Sequence, residues 1–153
     1  MDIRPLAKED LPALLRLYGH LHSSDDPLPS QNEIYAVWTE IMSSDRFRYF
    51  GGFIDGALVS SCTISIIPNL TRGCKPYGVV ENVVTHADHR RRGYGTDILR
   101  FVLSHAWSAG CYKVMLLTGR KDEATLRFYR SAGFDPDEKH AFVAKPAGQS
   151  TFP

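Results

Sequence analysis

Residues 89–99 read HRRRGYGTDIL, in which Arg90, Arg91 and Arg92 run into Gly93-Tyr94-Gly95 and then into an apolar, helix-like stretch. A loop that ends a strand and opens a helix gathers unpaired backbone N–H groups and the positive end of a helix dipole at one point. That is an anion site. Gly93 and Gly95 let the backbone approach the anion, and the arginines add charge and bidentate donors. A pyrophosphate or a phosphate ester is the natural guest. The plainer reading is that arginines in a loop form a solvated face and that glycines ahead of a helix serve only the turn. Taken alone, the stretch leaves these two readings level. Two nucleotide motifs are excluded. The phosphate loop of nucleotide hydrolases needs Gly-Lys-Ser/Thr, which is missing, and the dinucleotide fingerprint needs a third glycine where Ile98 stands.

The elements that must position this loop are legible in the hydrophobic pattern. Ile3 and Arg4 form a short opening strand, after which Leu11, Leu14, Leu15, Tyr18 and Leu21 share a helix face, with Pro12 in its first turn. Ser30 and Glu33 make an S-x-x-E capping box ahead of Ile34, Val37, Trp38, Ile41 and Met42, a second amphipathic helix. RYFGGFI and ALVSSCTISII are strands joined by the hairpin turn Asp55-Gly56. YGVVENVVTH is apolar on both faces, as in a central strand, and carries two polar oddities, Glu81 and Asn82. A helix follows, with Ile98, Leu99, Val102, Leu103 and Ala106 on its inner face and Gly110 past its end. YKVMLLT is a buried strand, Glu123 to Ala132 a shorter helix ended by Gly133, and AFVA a last strand. The expected fold is α+β, a mixed, mostly antiparallel central sheet with helices on both faces in three layers.

A chain of 153 residues is the size of one domain, and 43% hydrophobic with 23% charged residues matches a globular composition. We expect a single domain over 1–145 and a loose tail over 146–153, AKPAGQSTFP being without apolar periodicity from Ala144 on. Lys and Arg total 18 against 17 acids, so no bulk field draws the chain to nucleic acid or to an anionic membrane, and no second basic stripe accompanies the arginines. Neither partner is expected. Cys62, Cys74 and Cys111 are odd in number and lack a C-x-x-C pair, which fits reduced thiols and, with no signal-like apolar run near Met1, a cytoplasmic protein. His86 and His89 do not form a recognised zinc motif, so no metal is expected.

R-x-x-G-x-G, straight after a strand and opening a helix, resembles the acetyl-CoA pyrophosphate loop of the GNAT superfamily of N-acetyltransferases. VVENVVTHADHR before it, YKVMLLT after it, and ATLRFYRSAGF, similar to the family's late helix with its F-Y-x-x-x-G-F ending, extend the likeness over residues 77–135. The resemblance implies acetyl-CoA as cosubstrate. It implies that the backbone of Val83, Val84 and Thr85 pairs with the pantetheine arm, the N–H of Val83 facing the thioester carbonyl. It also implies that Arg90, Arg91, Arg92, Gly93, Tyr94, Gly95 and Thr96 wrap the pyrophosphate, with Asp122 and Thr125 beside the cofactor. Asp122 stands where many members have Asn, which puts a charge there.

Acyl transfer to an amine needs a proton removed from the nucleophile and another supplied to the leaving thiolate. On this resemblance Glu81 is the catalytic base, directly or through a water, and Tyr129 the acid, its phenol of pKa about 10 being a donor at neutral pH. The structural alternatives are an arginine-paired Glu81 and a Tyr129 that only packs. The acceptor is expected between SSDDPLPS and TRGCKP, where Asp25 and Asp26 suit a cation and Arg72 and Lys75 an acid, unless all four are merely solvated. A primary amine of a small molecule is the expected acceptor. ENVVTHADHRRRGYG is also similar to glucosamine-6-phosphate N-acetyltransferases, so an amino sugar phosphate is a second reading, and protein amines a third. A silent acyl-CoA-binding regulatory module is the non-enzymatic alternative. The resemblance further implies a homodimer.

Overall fold

The computed structural model describes residues 1–21 and 26–146. In chain order the elements are β1 (Asp2–Pro5), α1 (Leu11–Tyr18), α2 (Gln31–Ser43), β2 (Phe47–Ile54), β3 (Ala57–Ile67), β4 (Tyr77–Thr85), α3 (Tyr94–Ser108), β5 (Val114–Leu116) and α4 (Glu123–Ala132). The strands form one sheet in the order β1-β2-β3-β4-β5, antiparallel except for the parallel β4–β5 pair that α3 connects. The mixed, mostly antiparallel sheet agrees with the expected class.

Each face of the sheet has its own core. Phe50, Cys62, Ile64 and Val80 meet Ile98, Leu99, Val102 and Ala106 of α3 and Ala132 of α4 on one side. On the other, Tyr49 and Phe53 meet Leu11 and Leu14 of α1 and Trp38 of α2. Local chemistry sets the ends of these elements. Ser30 Oγ accepts from Glu33 N at 3.4 Å while Glu33 Oε2 accepts from Ser30 N at 3.0 Å, the reciprocal cap that starts α2. Asp55 and Gly56 take φ of 48° and 78°, the two positive values that a two-residue hairpin turn requires.

Several expectations are corrected. α1 ends at Tyr18, so Leu21 lies in the following turn rather than on the helix. Val37 is 56% exposed because it falls at the border of the narrow stripe formed by Ile34, Trp38, Ile41 and Met42. β5 spans three half-buried residues instead of a longer buried run. AFVA is not a strand: Phe142 and Val143 are 93% and 74% exposed, with neither a ladder partner nor a core face to bury them. Of the tail, only Pro146 is among the described residues.

Arg4 on β1 donates from Nη1 and Nη2 to Asp10 Oδ2 and Oδ1 at 2.7 and 3.0 Å, and Asp10 Oδ2 also accepts from Ala7 N at 2.7 Å. This ties the first strand to the start of α1. The Arg4 hydrogen bonds hold the Asp10 carboxyl below its ordinary pKa against the opposing effect of burial, with the Ala7 N–H adding to them. A depressed carboxylate stabilises the fold above its unfolded pKa of about 4, and that contribution is lost as pH falls through the folded value. Asp10→Asn should therefore cost about 1 kcal/mol at pH 7, a figure discounted because Arg4 is partly exposed. Urea melts at pH 7 and pH 3 should show the gap between variant and wild type closing at the lower pH.

Candidate active site

The site arises where β4 loses β5 as a partner. Parallel pairing with β5 runs through Gly78–Val114, Val79–Met115 and Val80–Leu116 and then stops. Beyond it, the chain leaving β5 and the second half of β4 part, and between them lies a cleft of about 850 Å³, a size suited to a cofactor or substrate. Val80 to Thr85 form one wall and Leu116 to Arg120 the other, with the loop before α3 and the inner face of α4 closing the remaining sides. On the opposite side of β4 the ladder with β3 slips. Ser61 pairs with Val84 and Thr63 with Glu81, so Cys62 faces both Asn82 and Val83. This is a β-bulge, and Asn82 adopts φ of 53°, a left-handed value that Asn tolerates better than most residues.

At the mouth of the cleft Gly93 is the N-cap of α3 with φ of 87°, a conformation strained for any residue with a Cβ. Gly95 has a different requirement: a Cβ there would meet Phe128 Cε2 at 3.0 Å and Thr85 Oγ1 at 3.3 Å. Its missing side chain lets α3 seat against α4 and the end of β4. Arg91, Tyr94 and Thr96 also line the cleft, whereas Arg92 is exposed and does not. Arg90 borders it with a guanidinium already engaged by protein, Nε donating to Thr85 O at 3.1 Å and Nη2 to His20 O at 2.7 Å.

Glu81 and Tyr129 face the same cleft from β4 and α4. Glu81 is exposed, and no Arg or Lys pairs with it among the described residues. Burial raises the pKa of the Tyr129 phenol; the Thr118 hydroxyl and Arg120 act in the opposite direction, and the Glu81 carboxylate raises it further. The phenol therefore stays protonated at neutral pH. Asp122 and Thr125 line the cleft too, but chiefly serve each other: Asp122 caps α4, its Oδ1 accepting from Thr125 N at 3.0 Å and its Oδ2 from Thr125 Oγ1 at 2.8 Å. The Thr125 hydroxyl, then its backbone N–H, hold the Asp122 pKa down, and Arg120 Nε, 3.3 Å away, offsets the charge.

Of the expected acceptor elements, Asp25 lies outside the described residues, and Arg72 and Lys75 do not line the cleft. Their loop meets β4 at Tyr77, the end opposite Thr85 and the loop ahead of α3, and Arg72 instead sits 5.9 Å over the Tyr112 ring. His20 and Leu21, just past α1, border the cleft in their place. Cys62 is fully buried, its thiol pushed up to about 12, which makes it a packing residue. Among the described residues no cluster of His, Cys, Asp or Glu is placed to hold a metal. Two residues to which the sequence motifs assign no role shape the site: Asn82, a polar residue in an apolar strand that takes the left-handed bulge conformation, and Phe128, whose contact with Gly95 no local spacing signals.

Comparison with known proteins gives this geometry a family. Residues 11–134 match the acetyltransferase (GNAT) family. A glucosamine 6-phosphate N-acetyltransferase of Trypanosoma brucei brucei is 29% identical over 147 residues, covering 91% of this chain and 92% of that protein. A solved structure described as a putative acetyltransferase from Agrobacterium tumefaciens str. C58 superposes with a TM-score of 0.88 at 40% identity, covering 95% of this chain and all (100%) of the other. The glucosamine-6-phosphate N-acetyltransferase of Arabidopsis thaliana shares the fold, with a TM-score of 0.80 at 24% identity over 94% of this chain and 96% of its own. With the family model spanning both walls of the cleft, the chain belongs to the GNAT family, the acetyltransferases that take their acetyl group from acetyl-CoA.

Proposed function

We propose that the protein transfers the acetyl group of acetyl-CoA directly to a primary amine of a small molecule in a ternary complex. The observation that carries this reading is a cleft that brings together β4 backbone unpaired on its β5 side, the Glu81 carboxylate, which has no Arg or Lys partner among the described residues, and a protonated phenol at Tyr129. The open backbone at Val83, Val84 and Thr85 suits an extended pantetheine arm, which pairs as an added strand does. Gly93, Tyr94, Gly95 and Thr96 at the α3 N-terminus, with Arg91, suit a pyrophosphate. Arg90, held by Thr85 and His20, frames that loop, and Arg92 reaches the anion only from outside the cleft.

In this scheme Glu81 removes the amine proton, directly or through one water, as the C–N bond forms. Val83 N–H donates to the thioester oxygen as negative charge develops there, the kind of preorganised contact that contributes most in acyl transfer. Tyr129 gives its phenolic proton to the sulfur as the C–S bond breaks. The amino sugar phosphate reading is favoured by the T. brucei relative, matched over most of both chains. We place the protein in the cytoplasm, supported by its free cysteines, and read it as a homodimer, supported by the open outer edge of β5 beside exposed Leu117. Among the described residues no helix is long and apolar enough to cross a membrane.

A panel of primary amines that includes glucosamine 6-phosphate, read by release of CoA, tests the reaction and names the acceptor. Amine-dependent release is expected; acetyl-CoA binding without it would support a silent sensor. Tyr129→Phe should lower kcat about 10²-fold with KM for acetyl-CoA within about twofold, because a leaving-group acid acts only in the transition state. Equal losses in both constants would assign Tyr129 to packing. Glu81→Gln should lower kcat/KM about 10²-fold, and an unchanged kcat/KM would assign the proton to another group.

A further inference from the structure

The centre of β3 reads Ser60-Ser61-Cys62-Thr63, three hydroxyl residues that are 0%, 0% and 1% exposed in an otherwise apolar interior. Burying a hydroxyl is costly unless it finds a hydrogen-bond partner. All three find one, and the choice of partner is informative. Thr63 Oγ1 donates to Glu81 O at 3.1 Å, and Ser60 Oγ donates to Val84 O at 3.0 Å. These carbonyls lie immediately before and immediately after Asn82-Val83, the two bulge residues that have no place in the ladder register. Ser61 Oγ turns the other way and donates to Phe50 O on β2 at 2.9 Å.

We propose that Thr63 and Ser60 are positioning residues that hold the Asn82–Val83 bulge, and with it the Val83 N–H, in the orientation needed to meet the acetyl carbonyl. The proposal rests on the reading of Val83 as the oxyanion donor. A bulge interrupts regular pairing, so the peptide planes inside it are set by whatever anchors its flanks. Here the flanks are anchored by side chains as well as by the ladder. No strand pairs with the other side of Glu81–Thr85 among the described residues, because β5 pairing ends at Val80, so β3 is the only strand there that restrains it. An oxyanion donor must be held to within about 0.5 Å and 10–20° to be effective.

The same linkage continues to the anion loop. Ser60 Oγ lies 2.9 Å from Thr85 Oγ1, and Thr85 O accepts from Arg90 Nε at 3.1 Å. One buried hydroxyl thus joins the bulge to the loop ahead of α3, so the two places where acetyl-CoA would be held keep a fixed spacing. Ser61, equally buried on the same strand but facing β2, supplies an internal control.

The test uses acetyl-CoA labelled with ¹³C at the acetyl carbonyl, whose NMR shift on binding reports hydrogen bonding to that oxygen and needs no acceptor. Wild type is expected to move the signal downfield. Thr63→Val and Ser60→Ala should each remove about half or more of the shift while changing acetyl-CoA affinity by calorimetry less than about threefold. Thr63→Ser should restore the shift. Ser61→Ala should lower the thermal midpoint comparably yet leave the shift at the wild-type value. A full shift in folded Thr63→Val and Ser60→Ala, or equal losses in Ser61→Ala, would overturn the proposal. If Thr63→Val does not fold, Ser60→Ala and Thr63→Ser decide it. No shift in the wild type, or unchanged affinity in Gly93→Val, would instead overturn the reading of the cleft on which the proposal stands.

Discussion

The rest of this structure depends on a break in hydrogen bonding halfway along β4. Backbone N–H and C=O groups in a protein interior are almost always paired, and β4 meets this requirement on both sides only as far as Val80. Past that point β5 has gone, and the β3 ladder slips by one residue at Asn82. A central strand thereby becomes a partly open edge inside the fold. Open edges usually invite another strand, and here the opening faces the cleft of about 850 Å³.

Such a break is tolerable because the layers around it are well packed. The core under α3 and the core under α1 and α2 clamp the sheet from opposite faces, so the opening between β4 and β5 does not propagate. Gly95 contributes by having no Cβ, which brings Phe128 of α4 against the start of α3 and sets Tyr129, its neighbour, at the cleft. Buried hydroxyls on β3 restrain the side of the bulge that the ladder leaves loose. Rigidity around an unpaired backbone is what an oxyanion site requires.

The electrostatics follow the same division of labour. Arg90 and Asp122, both charged and both beside the cleft, are largely committed to protein partners, Arg90 to two carbonyls and Asp122 to the cap of α4. Among the described residues Glu81 has no cationic partner, and the Tyr129 phenol is held protonated by burial. In the proposed scheme the two groups with opposite proton roles come from elements nearly fifty residues apart, at positions 81 and 129.

Short-range chemistry decided much by itself. The Ser30–Glu33 cap, the Asp55-Gly56 turn, the bounds of α4 and the glycine-capped start of α3 were all legible, because each depends on residues within a few positions of one another. AFVA and the length of β5 were not, since a strand exists only where another strand pairs with it. The roles of Ser60 and Thr63 were hidden for a related reason: Ser and Thr are ordinary strand residues until the fold shows which carbonyls they face. Arg90, read as an anion contact from its neighbours in the chain, was given His20 by a fold that brings residues seventy positions apart together. Local spacing determined which residues could do chemistry, and only tertiary pairing, with every buried polar group needing a partner, decided which of them were left free to do it.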